Sequence, residues 1–117
     1  MEATAVSRFN MISARKARLV ADLVRGQSVE QALHTLGLTP KKASPMIQKT
    51  ILSAVANARQ SEDGVLNEDG LVVSEIRIDE GPTHKRIRPR AQGRAYRVRK
   101  RTSHIKVTVR AEEKDEG

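Results

Sequence analysis

Ten basic side chains lie between residues 85 and 106 with no carboxylate among them: Lys85, Arg86, Arg88, Arg90, Arg94, Arg97, Arg99, Lys100, Arg101 and Lys106. Most are arginines, whose planar guanidinium grips phosphate through two parallel hydrogen bonds and stacks on bases. The chemistry open to such a run is recognition of a polyanion, because ten like charges this close repel one another unless an anion lies among them. The full chain carries 22 Lys and Arg against 14 Asp and Glu, a net of +8. Twelve bases therefore face all fourteen acids outside the run, which attaches a +10 segment to a nearly neutral remainder. Arg15, Lys16, Arg18 and Arg25 form a second, smaller basic group, with Asp22 spaced to pair with Arg18 at i+4.

Catalysis has no comparable constellation. His34, His84 and His104 lack zinc-ligand spacing. The absence of Cys excludes a disulfide framework, thiol catalysis and Cys-ligated zinc. There is no HExxH, P-loop, GxGxxG or GxSxG pattern. Asp79 and Glu80 are adjacent carboxylates, but neighbours on a strand point to opposite faces and would not share a metal. No catalytic residue, metal, cofactor or small-molecule substrate is expected. Readers of single-stranded nucleic acid stack bases on aromatic side chains; this chain has only Phe9 and Tyr96, and Phe9 is expected in the core. No apolar run approaches a membrane span. Residues 1–10 alternate polar and apolar, unlike a signal or transit peptide. A cytoplasmic location is expected.

A chain of 117 residues, 38% hydrophobic, supports one modest core. Thr4–Asn10 reads as a short strand. Ser13 is placed to cap a helix over Ala14–Arg25, with Ala17, Val20, Ala21 and Val24 as its buried stripe and Gly26 as its stop. Ser28 and Gln31 have capping-box spacing ahead of a short helix bearing Val29, Ala32, Leu33 and Leu36, ended by Gly37. After a loose turn from Pro40, a third helix is predicted from Ser44, with Pro45 at its first position, to about Gln60. Its buried stripe is Ile47, Ile51, Ala54, Val55 and Ala58. An acidic loop covers residues 61–70. In the strand that follows, Val72, Ser74, Ile76 and Ile78 alternate with Val73, Glu75, Arg77 and Asp79; later, Ile105, Val107 and Val109 alternate with Lys106, Thr108 and Arg110. The expected class is α+β: three helices on a small antiparallel sheet of about three strands.

Almost all of the basic run lies between the two paired strands, so residues 80–103 must leave the sheet and return as a long hairpin. Gly81–Pro82 marks the exit, and Pro89 to Gly93 supplies turn residues. About ten residues per arm at roughly 3.3 Å each would reach on the order of 30 Å from the body. A two-stranded ribbon without an apolar face is marginal alone, so its order is expected to come from its partner. Residues 1–79 and 104–111 then form the body, and the acidic residues 112–117 a disordered tail.

Across the chain, Ser13 with Lys16–Ala17–Arg18–Leu19–Val20, Gly26, Ser53–Ala54 and Ala56–Asn57–Ala58 are followed by Asp79–Glu80–Gly81–Pro82, Lys85–Arg86, Pro89–Arg90–Ala91, Gly93–Arg94–Ala95 and Lys100–Arg101–Thr102–Ser103–His104–Ile105. In these motifs, at this order and spacing, the chain resembles the bacterial form of the large-subunit ribosomal protein L-twenty-two family from about Glu2 to Val109. The resemblance implies an α+β body bound to large-subunit ribosomal RNA, beside neighbouring large-subunit proteins, and a hairpin that helps line the nascent-peptide exit tunnel. Ser13, Lys16 and Arg18 would face RNA from the first helix, and Thr102, Ser103 and His104 would join the arm's bases. The tip, Arg86, Ile87, Arg88, Pro89, Arg90, Ala91, Gln92 and Gly93, would meet the nascent polypeptide. Two other readings fit the charge alone. A DNA-architectural protein with basic arms normally pairs them across an apolar dimer interface, for which no apolar stripe is left over. A membrane-surface binder needs a Lys-rich amphipathic helix, whereas these bases lie on strands.

Overall fold

Alternation of Val and Ile in two segments, joined by an Ala-bearing third, builds one sheet. Strand β1 (Glu2–Asn10) and strand β2 (Leu71–Glu80) pair antiparallel with the two sides of strand β5 (Ser103–Ala111), giving the order β1-β5-β2. The computed structural model describes residues 2–60, 70–82, 84–89 and 95–111. The acidic loop at 61–69 and the tail at 112–117 lie outside them. Ile105, Val107 and Val109 of the central strand are fully buried, as their alternation predicts.

Each outer strand departs from that alternation once. Val73 stands opposite Val109 and Glu75 opposite Thr108, so Ser74 is an extra residue, a β-bulge. The bulge shifts the inward face by one position. Leu71 and Val73 are buried before it, Ile76 and Ile78 after it, while Ser74 is exposed. The expected inward set of Val72, Ser74, Ile76 and Ile78 is therefore half right, because a strict period of two cannot cross an inserted residue. In β1 the register slips between Ser7 and Asn10, and Phe9 there has φ +57°. Phe9 is 59% exposed, contrary to the core position expected for it: the slip turns its ring outward to meet His104.

Helices α1 (Ala14–Ala21), α2 (Val29–Leu38) and α3 (Ala43–Arg59) cover one face of the sheet. Every residue of the predicted α3 stripe is buried, with Ile47 and Ile51 at zero exposure, and Asn57 Nδ2 ties the helix to β1 by donating to the Thr4 carbonyl at 2.9 Å. The helix starts one residue earlier than its turn residues suggest. Ser44 does not cap it but lies buried, with its Oγ unpartnered. Pro45 then sits in the first turn, where its missing N–H removes no intrahelical bond. Ser28 caps α2 as expected, accepting from Gln31 N at 3.2 Å, but α2 runs through Gly37 to Leu38. The first helix ends at Ala21, short of the predicted Arg25. The chain then tightens through i→i+3 turns that keep Val24 buried and bring Gly26, at φ +83°, to the edge of β2.

That edge is closed. Gly26 N donates to the Val73 carbonyl at 3.0 Å, Val73 N donates to the Gln27 carbonyl at 2.9 Å, and Ser28 bridges Val72. Beyond the bulge two arginines from the first helical segment take over, as described below.

Strands β3 (His84–Pro89) and β4 (Ala95–Lys100) pair antiparallel with each other and with no other strand. The chain's radius of gyration is 17.8 Å, against about 13 Å for a compact domain of this length, and its principal extents are 72 × 28 × 18 Å. The excess length runs along one axis, as a projecting ribbon requires.

Candidate nucleic-acid interface

The smaller basic group begins at the Ser13 cap. Ser13 Oγ accepts from Lys16 N at 3.4 Å, satisfying an amide that the first turn leaves free. Arg15 and Lys16 stand exposed on the next turn. The other two arginines are partly committed to the sheet. Arg18 Nη2 donates to the Ile78 carbonyl at 2.9 Å. Arg25 donates to the Ile76 carbonyl from both Nε, at 3.2 Å, and Nη2, at 2.8 Å. Asp22 pairs with Arg25, through the Nη1 that Ile76 leaves free, rather than with Arg18. Both guanidinium groups close carbonyls that the outer strand would otherwise leave unpaired. Their charge and remaining N–H groups stay at the exposed surface. Replacing Arg25 with Gln, too short to reach Ile76, should lower the unfolding free energy by about 1 kcal/mol in urea titration. Lys16→Gln should leave it unchanged.

The larger group is carried by the ribbon and held by a polar neck. Gly81 N donates to the Thr102 carbonyl at 2.9 Å, and Thr102 Oγ1 donates to the Pro82 carbonyl at 2.7 Å. A Cβ on Gly81 would lie 2.5 Å from Thr102 Oγ1 and 3.2 Å from the His104 ring, so only glycine fits this approach. Thr102 and Ser103 are buried in the neck; the Thr102 hydroxyl is spent on Pro82 and Ser103 Oγ is buried without a hydrogen-bond partner, so neither presents its hydroxyl outward. Arg101 is exposed beside them. Three residues separate Glu80 from His84, but only two separate Lys100 from Ser103. The neck therefore contains a one-residue offset that re-aims the ribbon relative to the sheet.

Along the ribbon the backbone register sets Lys85 opposite Arg99, Arg86 opposite Val98, Ile87 opposite Arg97, Arg88 opposite Tyr96 and Pro89 opposite Ala95. Like charges opposed across a strand pair weaken it, so the ribbon's own pairing does not explain its composition. Arg90, Ala91, Gln92, Gly93 and Arg94, the rest of the predicted tip and turn, lie outside the described residues. Lys106 is on β5 in the body, not on the ribbon. Among the described residues no group of three or more His, Cys, Asp or Glu side chains is placed to hold a metal ion, and no helix is long and apolar enough to cross a membrane.

One residue at the foot of the ribbon escaped the sequence reading. Phe9 N donates to His104 Nδ1 at 3.1 Å, and the two rings meet edge to face, with centroids 5.0 Å apart at 89°. Alternation alone points Phe9 inward. Its neighbours Arg8 and Asn10, polar on both sides, fit that alternation and give no sign of the slip.

Comparison with known proteins bears on the whole of this arrangement. The family model described as Ribosomal protein L22p/L17e matches residues 5–110, from β1 through the ribbon to the end of β5. The large ribosomal subunit protein uL22 of Maridesulfovibrio salexigens is 54% identical over 110 residues, covering 94% of this chain and 98% of that protein. Body, neck and basic ribbon fall within both matches, and the chain accordingly belongs to the ribosomal protein L22p/L17e family.

Proposed function

We propose that this chain is a structural component of the large ribosomal subunit, in the cytoplasm, and that it binds the large-subunit RNA, helping it to fold and assemble. The observation that carries the reading is the uncompensated run of ten bases, most of it on a ribbon that pairs with no other strand. A thin, arginine-rich ribbon suits insertion between helices of folded RNA, where phosphate density is highest. The body, with Arg15, Lys16 and the outward charge of Arg18 and Arg25, holds the RNA surface. Residues 80–103 enter it, with Lys85, Arg86, Arg88, Arg90, Arg94, Arg97, Arg99, Lys100 and Arg101 meeting phosphates and bases. Residues 86–93 line the nascent-peptide exit tunnel and meet the growing polypeptide. Neighbouring large-subunit proteins are the other partners; no enzymatic step, small-molecule substrate or membrane enters the role. The 54% identical relative from Maridesulfovibrio salexigens, a large ribosomal subunit protein, supports the same assignment.

Binding to large-subunit RNA should depend steeply on salt. If half of the ten bases neutralise phosphates, the slope of log affinity against log salt is about −3 to −5. Replacing Arg99, Lys100 and Arg101 together with Gln should flatten that slope by about 2–3 while leaving the thermal melt of the free protein unchanged. A parent slope shallower than about −1, or equal affinity for duplex DNA at the same salt, would refute the reading.

A further inference from the structure

Phe9 is held where its own fold gains little from an aromatic ring. At φ +57° it occupies the left-handed region that bulky L residues rarely enter, and such outliers persist where their surroundings over-determine them. The backbone slip is braced by Asn10, whose Nδ2 donates to the Ser7 and Ser103 carbonyls, and the ring itself meets one imidazole. His104 accepts from the Phe9 amide and meets its ring edge to face. That contact covers at most one face of the phenyl ring, and the residue remains 59% exposed.

The charge nearby is mostly basic, although Asp79 and Glu80 are exposed opposite His104 and Ser103. Arg8 precedes Phe9 and is exposed, as is Arg101 in the neck. Lys106 lies two residues beyond His104 on the same face of β5, opposite Arg77 in the register. Such groups draw phosphate but offer no apolar plane; Phe9 offers one. Val6, opposite Lys106, and Met11, two residues after Phe9, are about half exposed, so the apolar surface around the ring is at most three side chains. That is far too little for a protein interface, and the ring itself is about the size of one base. We propose that Phe9, braced by His104 at the foot of the ribbon, is a stacking site for one unpaired base of the RNA that the ribbon enters. The inference rests on the RNA-binding reading and adds to its phosphate contacts a contact with a base.

The test compares full-length chains for binding to transcribed large-subunit RNA at fixed salt. Phe9→Trp keeps a π-face and should bind like the parent or more tightly. Phe9→Leu keeps apolar bulk without a π-face, and Phe9→Asn removes both; each should weaken binding about 5- to 150-fold. Asparagine tolerates the left-handed region, so the Asn variant should melt no lower than the parent, which separates lost contact from lost folding. Parent-like affinity of the Leu variant overturns the proposal in favour of a plain apolar contact, and parent-like affinity of the Asn variant overturns it outright. If those variants bind normally while the Arg99, Lys100 and Arg101 replacement still flattens the salt slope, stacking alone has failed. If the parent shows no preference for this RNA over duplex DNA, the RNA reading falls, and stacking with it.

Discussion

Ile51→Ala should lower the unfolding free energy by about 2–4 kcal/mol. That is a large part of the roughly 5–15 kcal/mol that holds a domain of this size together. Ile51 has no solvent exposure and sits mid-length on α3, the helix that packs against both β1 and β5. Deleting its branched side chain leaves a void beneath three elements whose own residues are already close-packed, so little collapse can compensate. At roughly 4 °C per kcal/mol the melting temperature should fall by about 8–16 °C. Leu52→Ala makes the control: the next residue along is 52% exposed, and its truncation should cost no more than about 0.5 kcal/mol. Calorimetry of the two variants checks both numbers. Equal melts would mean that α3 does not bury the face assigned to it.

Excising residues 88–93 should have the opposite signature. The core is built from β1, β2, β5 and the three helices, and the neck closes through Gly81, Pro82 and Thr102. Removing the distal ribbon should therefore shift the melting temperature of the free protein by less than about 2 °C, since loop-closure entropy changes slowly with length. Subunit incorporation should survive on the remaining bases. The large effect should appear in the tunnel: cross-linking of a stalled nascent chain to this protein should drop severalfold. Unfolding of the free protein would show that the excised segment packs on the body, and unchanged cross-linking would remove the tip from the tunnel wall.

What could be read from the chain depended on how local its cause was. The α3 stripe and the Ser13 and Ser28 caps rest on patterns within a few residues of one another, as does the alternation within β2 and β5 from which their antiparallel pairing was expected, and all are present. The basic run was equally plain, because charge needs no fold to be counted. The failures share a different cause. Ser74 and Phe9 mark places where a strand takes in an extra residue to follow its partner, and nothing in a period of two announces an insertion. Arg18 and Arg25 looked like free bases until β2, more than fifty residues away, came to lie against them. Ser44 resembles a cap in sequence but is buried because α3 begins one residue earlier. For the site, residue types pointed to a polyanion partner, but only the folded neck shows that Thr102 and Ser103 face inward while Phe9 faces out.

The closed edge of β2 also bears on the chain before it meets RNA. An outer strand with unpaired amides and carbonyls is a template on which a second copy can add its own strand, the first step toward aggregation and fibril growth. Here Gly26 and Gln27 occupy Val73, and Arg18 and Arg25 occupy Ile78 and Ile76. A second chain approaching that side meets two guanidinium groups instead of free carbonyls, on a molecule whose net charge of +8 already repels its copies. Two arginines that cap carbonyls within one molecule thus also oppose the addition of a second copy along this strand.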